Sequence, residues 1–319
     1  LFDFVFIYMR FLIRHVSAGD GLLVFKKYGK VSGVGPQDTM FKWASVAGQP
    51  YMAVILVMKN QANQRYTQSR QFTCFHTIFQ MAHVIDFFLA ATKPICMTEL
   101  IPRHAKARFF IDFDMVLTGE PSAQQMDKMV VIIKRAIAVQ AEDAGIPAID
   151  ARQIVTKDRC DWVMKGDDMK YKISFHFIHQ LVVFKSTWDR SHGMRAFMHR
   201  VRDRCVDDVT SVIGDLVATG ADGVLRAFDD MVYTSNRQMN MYGTRKSWTT
   251  HEGMRTAPTM GLHHSDKMYH RSTFDILLAT LITIQPHADM SNFHLMPSCV
   301  VAAPTGTKVP GRSIRRTTN

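Results

Sequence analysis

The chain has 319 residues, long enough for one large core or two smaller ones, and its 47% hydrophobic content excludes a disordered or collagen-like protein. Its 39 Lys and Arg against 28 Asp and Glu give a formal net charge of +11. That excess favours a polyanionic partner, nucleic acid before membrane, because no strongly amphipathic basic helix stands out; a basic protein without such a partner is the competing reading.

Cys74, Cys96, Cys160, Cys205 and Cys299 include no C-x-x-C pair, which argues against a zinc ribbon or a disulfide framework and makes a reducing compartment the default. Leu1 to Ile13 is apolar but carries Asp3 and Arg10, and it is too short to span a bilayer. A packed first helix to about residue 18 is expected there, rather than a signal or anchor. A Gly-rich passage from Gly19 to Gly35 follows, and then Tyr51 to Met58, a continuous apolar run that predicts a buried strand. Asn60 to Arg70 is polar and turn-prone. A second strand is expected over Phe72 to Ile78, then an apolar helix from about Phe79 to Ala91.

The segment Glu99-Leu100-Ile101-Pro102 leads through six residues into Phe109-Phe110-Ile111-Asp112-Phe113-Asp114. Side chains alternate faces along a strand, so Asp112 and Asp114 would project together while Phe109, Ile111 and Phe113 pack behind them. Two carboxylates in one small volume repel unless a positive charge sits between them, and a divalent hard cation with oxygen ligands is the usual solution. Two solvated aspartates at a strand end are the plainer alternative.

Beyond Gly119-Glu120-Pro121, Ser122 and Gln125 fit a capping box, and Met126, Met129, Val130, Ile133 and Ile137 predict a helix to roughly Glu142. Tyr171 to Phe177 alternates again, with Lys172, Ser174 and His176 on the polar face. The order strand, helix, strand predicts a crossover that brings this strand into the sheet of Asp112. A second helix is expected from Ser191 to about Ile213, with its arginines on a solvated face. A turn near Gly220 to Gly223 then delivers Asp229 on a strand, with Arg237 and Lys246 after it: oxygens for a metal and cations for phosphates. His263, His264 and His270 lack a Cys partner at zinc spacing and are expected to form a polar loop, followed by an apolar helix from Thr273 to about Ile284.

Taken together, these residues resemble the catalytic core of the archaeo-eukaryotic primase superfamily, most closely its primase-polymerase (PrimPol) branch. The matching features are Glu99 to Pro102 before Asp112-x-Asp114, the Ser174-x-His176 strand running on to Phe184-Lys185, and a third motif at Asp229, Val232, Tyr233, Thr234, Asn236, Arg237 and Lys246. The resemblance covers roughly residues 50 to 290. It implies an α/β (α+β) fold with an N-terminal α/β module over residues 1–105, an RRM-like module over 106–290 that carries all three motifs, and a basic, mobile tail over 291–319. It also implies template-directed nucleotidyl transfer by a DNA primase or polymerase of replication and damage tolerance. Asp112, Asp114 and Asp229 would be catalytic ligands of two Mg²⁺ or Mn²⁺ ions, with Ser174, His176, Arg237 and Lys246 binding the nucleotide. Single-stranded DNA template and nucleoside triphosphates would be the partners, with no membrane. Replication proteins could join through further regions, in a nucleus, a mitochondrion or a virus-infected cell. Two features depart from the family pattern: Asn240 stands where an Arg is common, and no Cys/His zinc module follows the core. The rival functions are a nucleic-acid-binding subunit on a weakened primase fold and a metal-dependent nuclease.

Overall fold

A computed structural model describes residues 37, 40–41, 51–60, 66–75, 77–91, 95–146, 150–187, 193–218, 220–234, 236–250, 253–266, 268, 271–284, 288, 290–291 and 293–296. The helix expected at the N-terminus, the Gly-rich passage and most of the C-terminal tail lie outside them. The fold is mixed α/β, and its sheets are built mainly of antiparallel strands. Among the described residues no helix is long and apolar enough to cross a membrane.

The first sheet has the order β2-β1-β3-β8, from β1 (Tyr51–Asn60), β2 (Tyr66–Phe75), β3 (Met97–Ile101) and β8 (Arg237–Asn240). Ala53, Val54 and Ile55 are all buried, which is why β1 is apolar without alternation: both of its faces are covered. Helix α1 (Ile78–Ala90) covers one face, and Thr77 caps it through a capping box with Gln80. Ile78 thus begins a helix rather than ending a strand. The second strand runs Tyr66–Phe75, starting inside the stretch expected to turn. The boundary expected at residue 105 falls between the sheets, yet β8, from far downstream, completes the first one by pairing with β3.

The second sheet is organised around β7 (Asp168–Phe184). Along one edge it pairs with β4 (Ala107–Leu117), and along the other with β6 (Asp161–Lys165), β5 (Ile154–Asp158) and β12 (His294–Leu295). The tail expected from residue 291 therefore begins with a strand. Helix α2 (Ala123–Asp143) starts at the predicted box, where Ser122 Oγ accepts from Gln125 N at 3.2 Å and Gln125 Oε1 accepts from Ser122 N at 2.9 Å. Helices α2 and α3 (Met194–Ile213) bury Met129, Ile133, Ile137, Phe197 and Val201 against Phe109, Ile111, Phe113, Phe175 and Phe177 in one core.

The crossover expectation needs correction. β4 and β7 are neighbours, but they run antiparallel. Since β5 is also antiparallel to β7, β4 and β5 run parallel, and the connection through α2 joins those two. The hairpin β6–β7 then inserts β7 between them, a split β-α-β arrangement. Two further expectations shift. Helix α4 (Ala221–Ala227) replaces the turn before Asp229, and α5 (Thr273–Thr280) ends well before Ile284. Residues 282–284 instead run extended beside β4, where Arg108 N donates to Ile282 O at 2.8 Å and Ile284 N to Lys106 O at 2.8 Å.

Candidate active site

Register places the polar side chains of three strands in rows. Asp112 on β4 lies opposite His176 on β7, which lies opposite Lys157 on β5. One step along, Asp114 lies opposite Ser174, whose carbonyl accepts from Arg159 N at 2.9 Å. Residues opposite one another share a face, so both rows stand on the side of the sheet away from the Phe109–Ile111–Phe113 core. This face looks toward the first sheet: Lys157 Nζ donates to Asn240 O on β8 at 2.7 Å.

The third carboxylate arrives on the free flank of β4. Phe228 makes an isolated bridge with Phe113, and Asp229 N donates to Asp112 O at 2.9 Å. Contrary to the sequence expectation, Asp229 is not on a strand. It caps a 3-10 turn over Asp230–Val232, with Oδ1 accepting from Met231 N at 2.9 Å, and that capping bond ends the extended run after a single bridge. Tyr233 then anchors the turn from below, donating its hydroxyl to Phe110 O at 2.5 Å. At Asn236 the backbone takes a positive φ of 55°, which turns the chain into β8 and brings Arg237 Nη2 to 3.7 Å from Asp229 Oδ2. Asn236 Oδ1 accepts from Arg103 N at 3.1 Å, fixing the turn to the segment before β4.

No family model matches this chain, and no curated protein matches it.

Basic side chains surround the carboxylates. Lys172 Nζ donates to Asp114 Oδ2 at 2.6 Å, and His176 Nε2 lies 3.3 Å from Asp112 Oδ1. Burial alone would raise the Asp112 pKa, but His176, then Arg237 and Lys172, outweigh it and hold the carboxyl below its ordinary value. Asp229 goes the other way: burial raises it, helped by Asp112 and Asp114 and opposed by the Met231 N–H and Arg237. Lys246, on β9 (Arg245–Thr250), which pairs with β10 (Gly253–Thr259), has a lowered pKa because partial burial and the neighbouring Lys172 and Arg159 outweigh the attraction of Asp114 and Asp112. Lys157 is buried outright, and its pKa falls to about 8.

Asp112, Asp114, Ser174 and His176 therefore share one face of the second sheet, while Asp229 comes from the flanking turn, Arg237 from β8 and Lys246 from β9. The three carboxylates are not drawn into one tight ligand set; the His, Cys, Asp and Glu trio whose ligand atoms all lie within 4.8 Å, among the described residues, is Asp127, His263 and His264. Still, Asp112 Oδ1 and Asp114 Oδ1 are buried without a hydrogen-bond partner, and so is Ser174 Oγ. Shielded carboxylate oxygens on one face, with His176 Nε2 3.3 Å from Asp112 Oδ1, are the donor type that a hard divalent cation takes, so the residues fit such an ion. Sequence reading missed Lys157 and Arg159, although Ile154-Val155-Thr156-Lys157-Asp158 carries a β-branched signal for the strand that brings them. His263 and His264 lie in a loop, with His263 buried, and His270 falls outside the described residues; the neighbouring Asp127 was unforeseen.

Proposed function

We propose that this chain is a template-directed nucleotidyltransferase of the primase-polymerase type, with an archaeo-eukaryotic primase core whose second sheet is its RRM-like module. The observation that carries the reading is the Asp229 N to Asp112 O bond at 2.9 Å, which holds the third carboxylate beside the Asp112–Asp114 pair on one flank while His176 and Ser174 stand on the other. Residues of three motifs far apart in the chain thus lie in contact, Asp112 with Asp229 and His176, and Asp229 with Arg237, which supports the reading.

Asp112, Asp114 and Asp229 would hold Mg²⁺ or Mn²⁺. Those ions would supply the positive charge that lowers the pKa of a primer 3′-hydroxyl and steadies the departing pyrophosphate. Arg237 and Lys246 would hold phosphates, and Ser174 and His176, beside Asp114 and Asp112, would contact the nucleotide. Lys172, bound to Asp114, is a built-in cation that would exchange its partner for a phosphate or a metal as substrate arrives. No protein nucleophile is required.

A second reading, a binding subunit on the same fold, is favoured by one specific observation: the Asp114 carboxylate already has Lys172 at 2.6 Å. Incubating the protein with single-stranded template, labelled nucleotides and Mg²⁺ or Mn²⁺, with and without a primer, separates the two. The polymerase reading expects metal-dependent extension or synthesis. No product under any condition would leave the binding-subunit reading.

A further inference from the structure

Helix α2 meets the loop after β11 (Gly261–Leu262) twice along one face. Asp127 and Lys134 stand seven residues apart, about two turns, and so share that face. Lys134 Nζ donates to Asp266 Oδ1 at 2.6 Å in a buried ion pair, while Asp266 Oδ2 accepts from Thr156 N at 2.7 Å on β5. His263 N donates to Thr156 O at 2.9 Å. The loop is thus pinned to both helix and sheet before its histidines make any contact.

Two turns nearer the start of α2, both rings point their Nε2 atoms at Asp127. His264 Nε2 lies 2.9 Å and His263 Nε2 3.7 Å from Asp127 Oδ1. Neither contact is aligned as a hydrogen bond, and Asp127 Oδ1 is left without a hydrogen-bond partner despite its burial. All three ligand atoms lie within 4.8 Å of one another, close enough to share one ion. Ligands of a tetrahedral zinc, at about 2.0–2.1 Å from the metal, stand about 3.3–3.4 Å apart, and the two distances bracket that value. The other nitrogen of the buried His263 has the partner that a metal-bound imidazole needs: Nδ1 lies 2.8 Å from Ser265 Oγ. Ser265 N also donates to Nδ1, at the longer distance of 3.4 Å, a bond that metal binding at Nε2 would exchange for donation from Nδ1 to Ser265 Oγ.

We propose that Asp127, His263 and His264 form a binding site for a zinc-class divalent cation, separate from the Asp112–Asp114–Asp229 face, which fastens the start of α2 to the loop after β11. Two imidazoles among three donors select zinc over Mg²⁺, whose preference is for oxygen. Because Asp127 and His264 are partly exposed, with side chains 42% and 59% accessible, a fourth position stays open to water and the metal exchanges with solvent.

The test is equilibrium dialysis of the full chain, stripped with chelator, against Zn²⁺ alone, with bound metal counted by mass spectrometry. Thermal unfolding is followed in parallel. One zinc per chain and a raised melting temperature are expected. His264→Ala and Asp127→Asn, both at accessible positions and expected to keep the parent circular dichroism, should each weaken zinc binding at least tenfold, since even losing a ligand's supporting partner typically costs about 10–100-fold. Both should also abolish the thermal shift. The proposal is overturned by no stoichiometric uptake, which would leave only an Asp–His ion pair, or by uptake that both folded variants retain.

Discussion

His179 shows how a single buried ring can set the acid stability of this fold. Its Nδ1 accepts from Leu181 N and Val182 N, both at 3.1 Å, and burial lowers its pKa to about 4. Above pH 6.5 both folded and unfolded chains carry a neutral ring. Between about 6.5 and 4 the unfolded chain takes up a proton that the folded one refuses, so stability falls through that window, by order 1 kcal/mol per pH unit. His179→Asn keeps an acceptor and removes the proton site. Urea melts at pH 7 and pH 4.5 should show a smaller acid loss in this variant than in the parent; an equal loss would assign it to other groups. At this scale the sequence was most informative where alternation fixes a face: strand periodicity alone puts Asp112 with Asp114, and Ser174 with His176. Lys157 and Arg159 were hidden because each becomes polar-face only through a pairing to β7, and Asp127 because nothing local links it to a loop so far along the chain.

Among the elements, the close approach of α1 to the turn before β9 makes its own test. Gly243 has φ 73°, and an added Cβ would stand 2.5 Å from Ile85 Cγ2 and 3.2 Å from Leu89 Cδ1. Gly145, at φ 84°, has nothing within 4 Å of the same added atom. Both alanine variants carry the backbone strain, about 1 kcal/mol, but only Gly243→Ala adds a packing clash, for a total of about 2–4 kcal/mol. Denaturant melts of the two should differ by the clash; equal losses would show that α1 yields freely. Elements were legible where caps and periodicity agreed, as in α2, whose box and apolar stripe both appear as read. The split around β7 was not, because β5 and β6 are short and the order strand, helix, strand reads the same whichever strand closes the crossover. Asp229 was misplaced for a related reason: its side chain caps its own turn, a local hydrogen bond that ends the extended run its apolar neighbours suggested.

For the whole molecule, a formal +11 and a face ringed by Lys172, Arg159, Arg237 and Lys246 predict that single-stranded DNA binding weakens steeply with salt, because each neutralised phosphate releases counterions. A flat response in titrations at several salt concentrations would leave the charge unexplained. The central claim, that Asp112, Asp114 and Asp229 form a nucleotidyl-transfer site, is tested most directly by primer extension with Asp114→Asn beside Lys246→Ala. The first keeps the side chain's shape and removes the charge that a hard cation needs, so extension should fall by orders of magnitude in Mg²⁺ and Mn²⁺ alike while fold and DNA binding persist. The second leaves all three carboxylates and removes a phosphate partner, so its loss should lie mainly in KM for nucleotide and recover partly at high nucleotide concentration. Wild-type extension by Asp114→Asn would contradict the account.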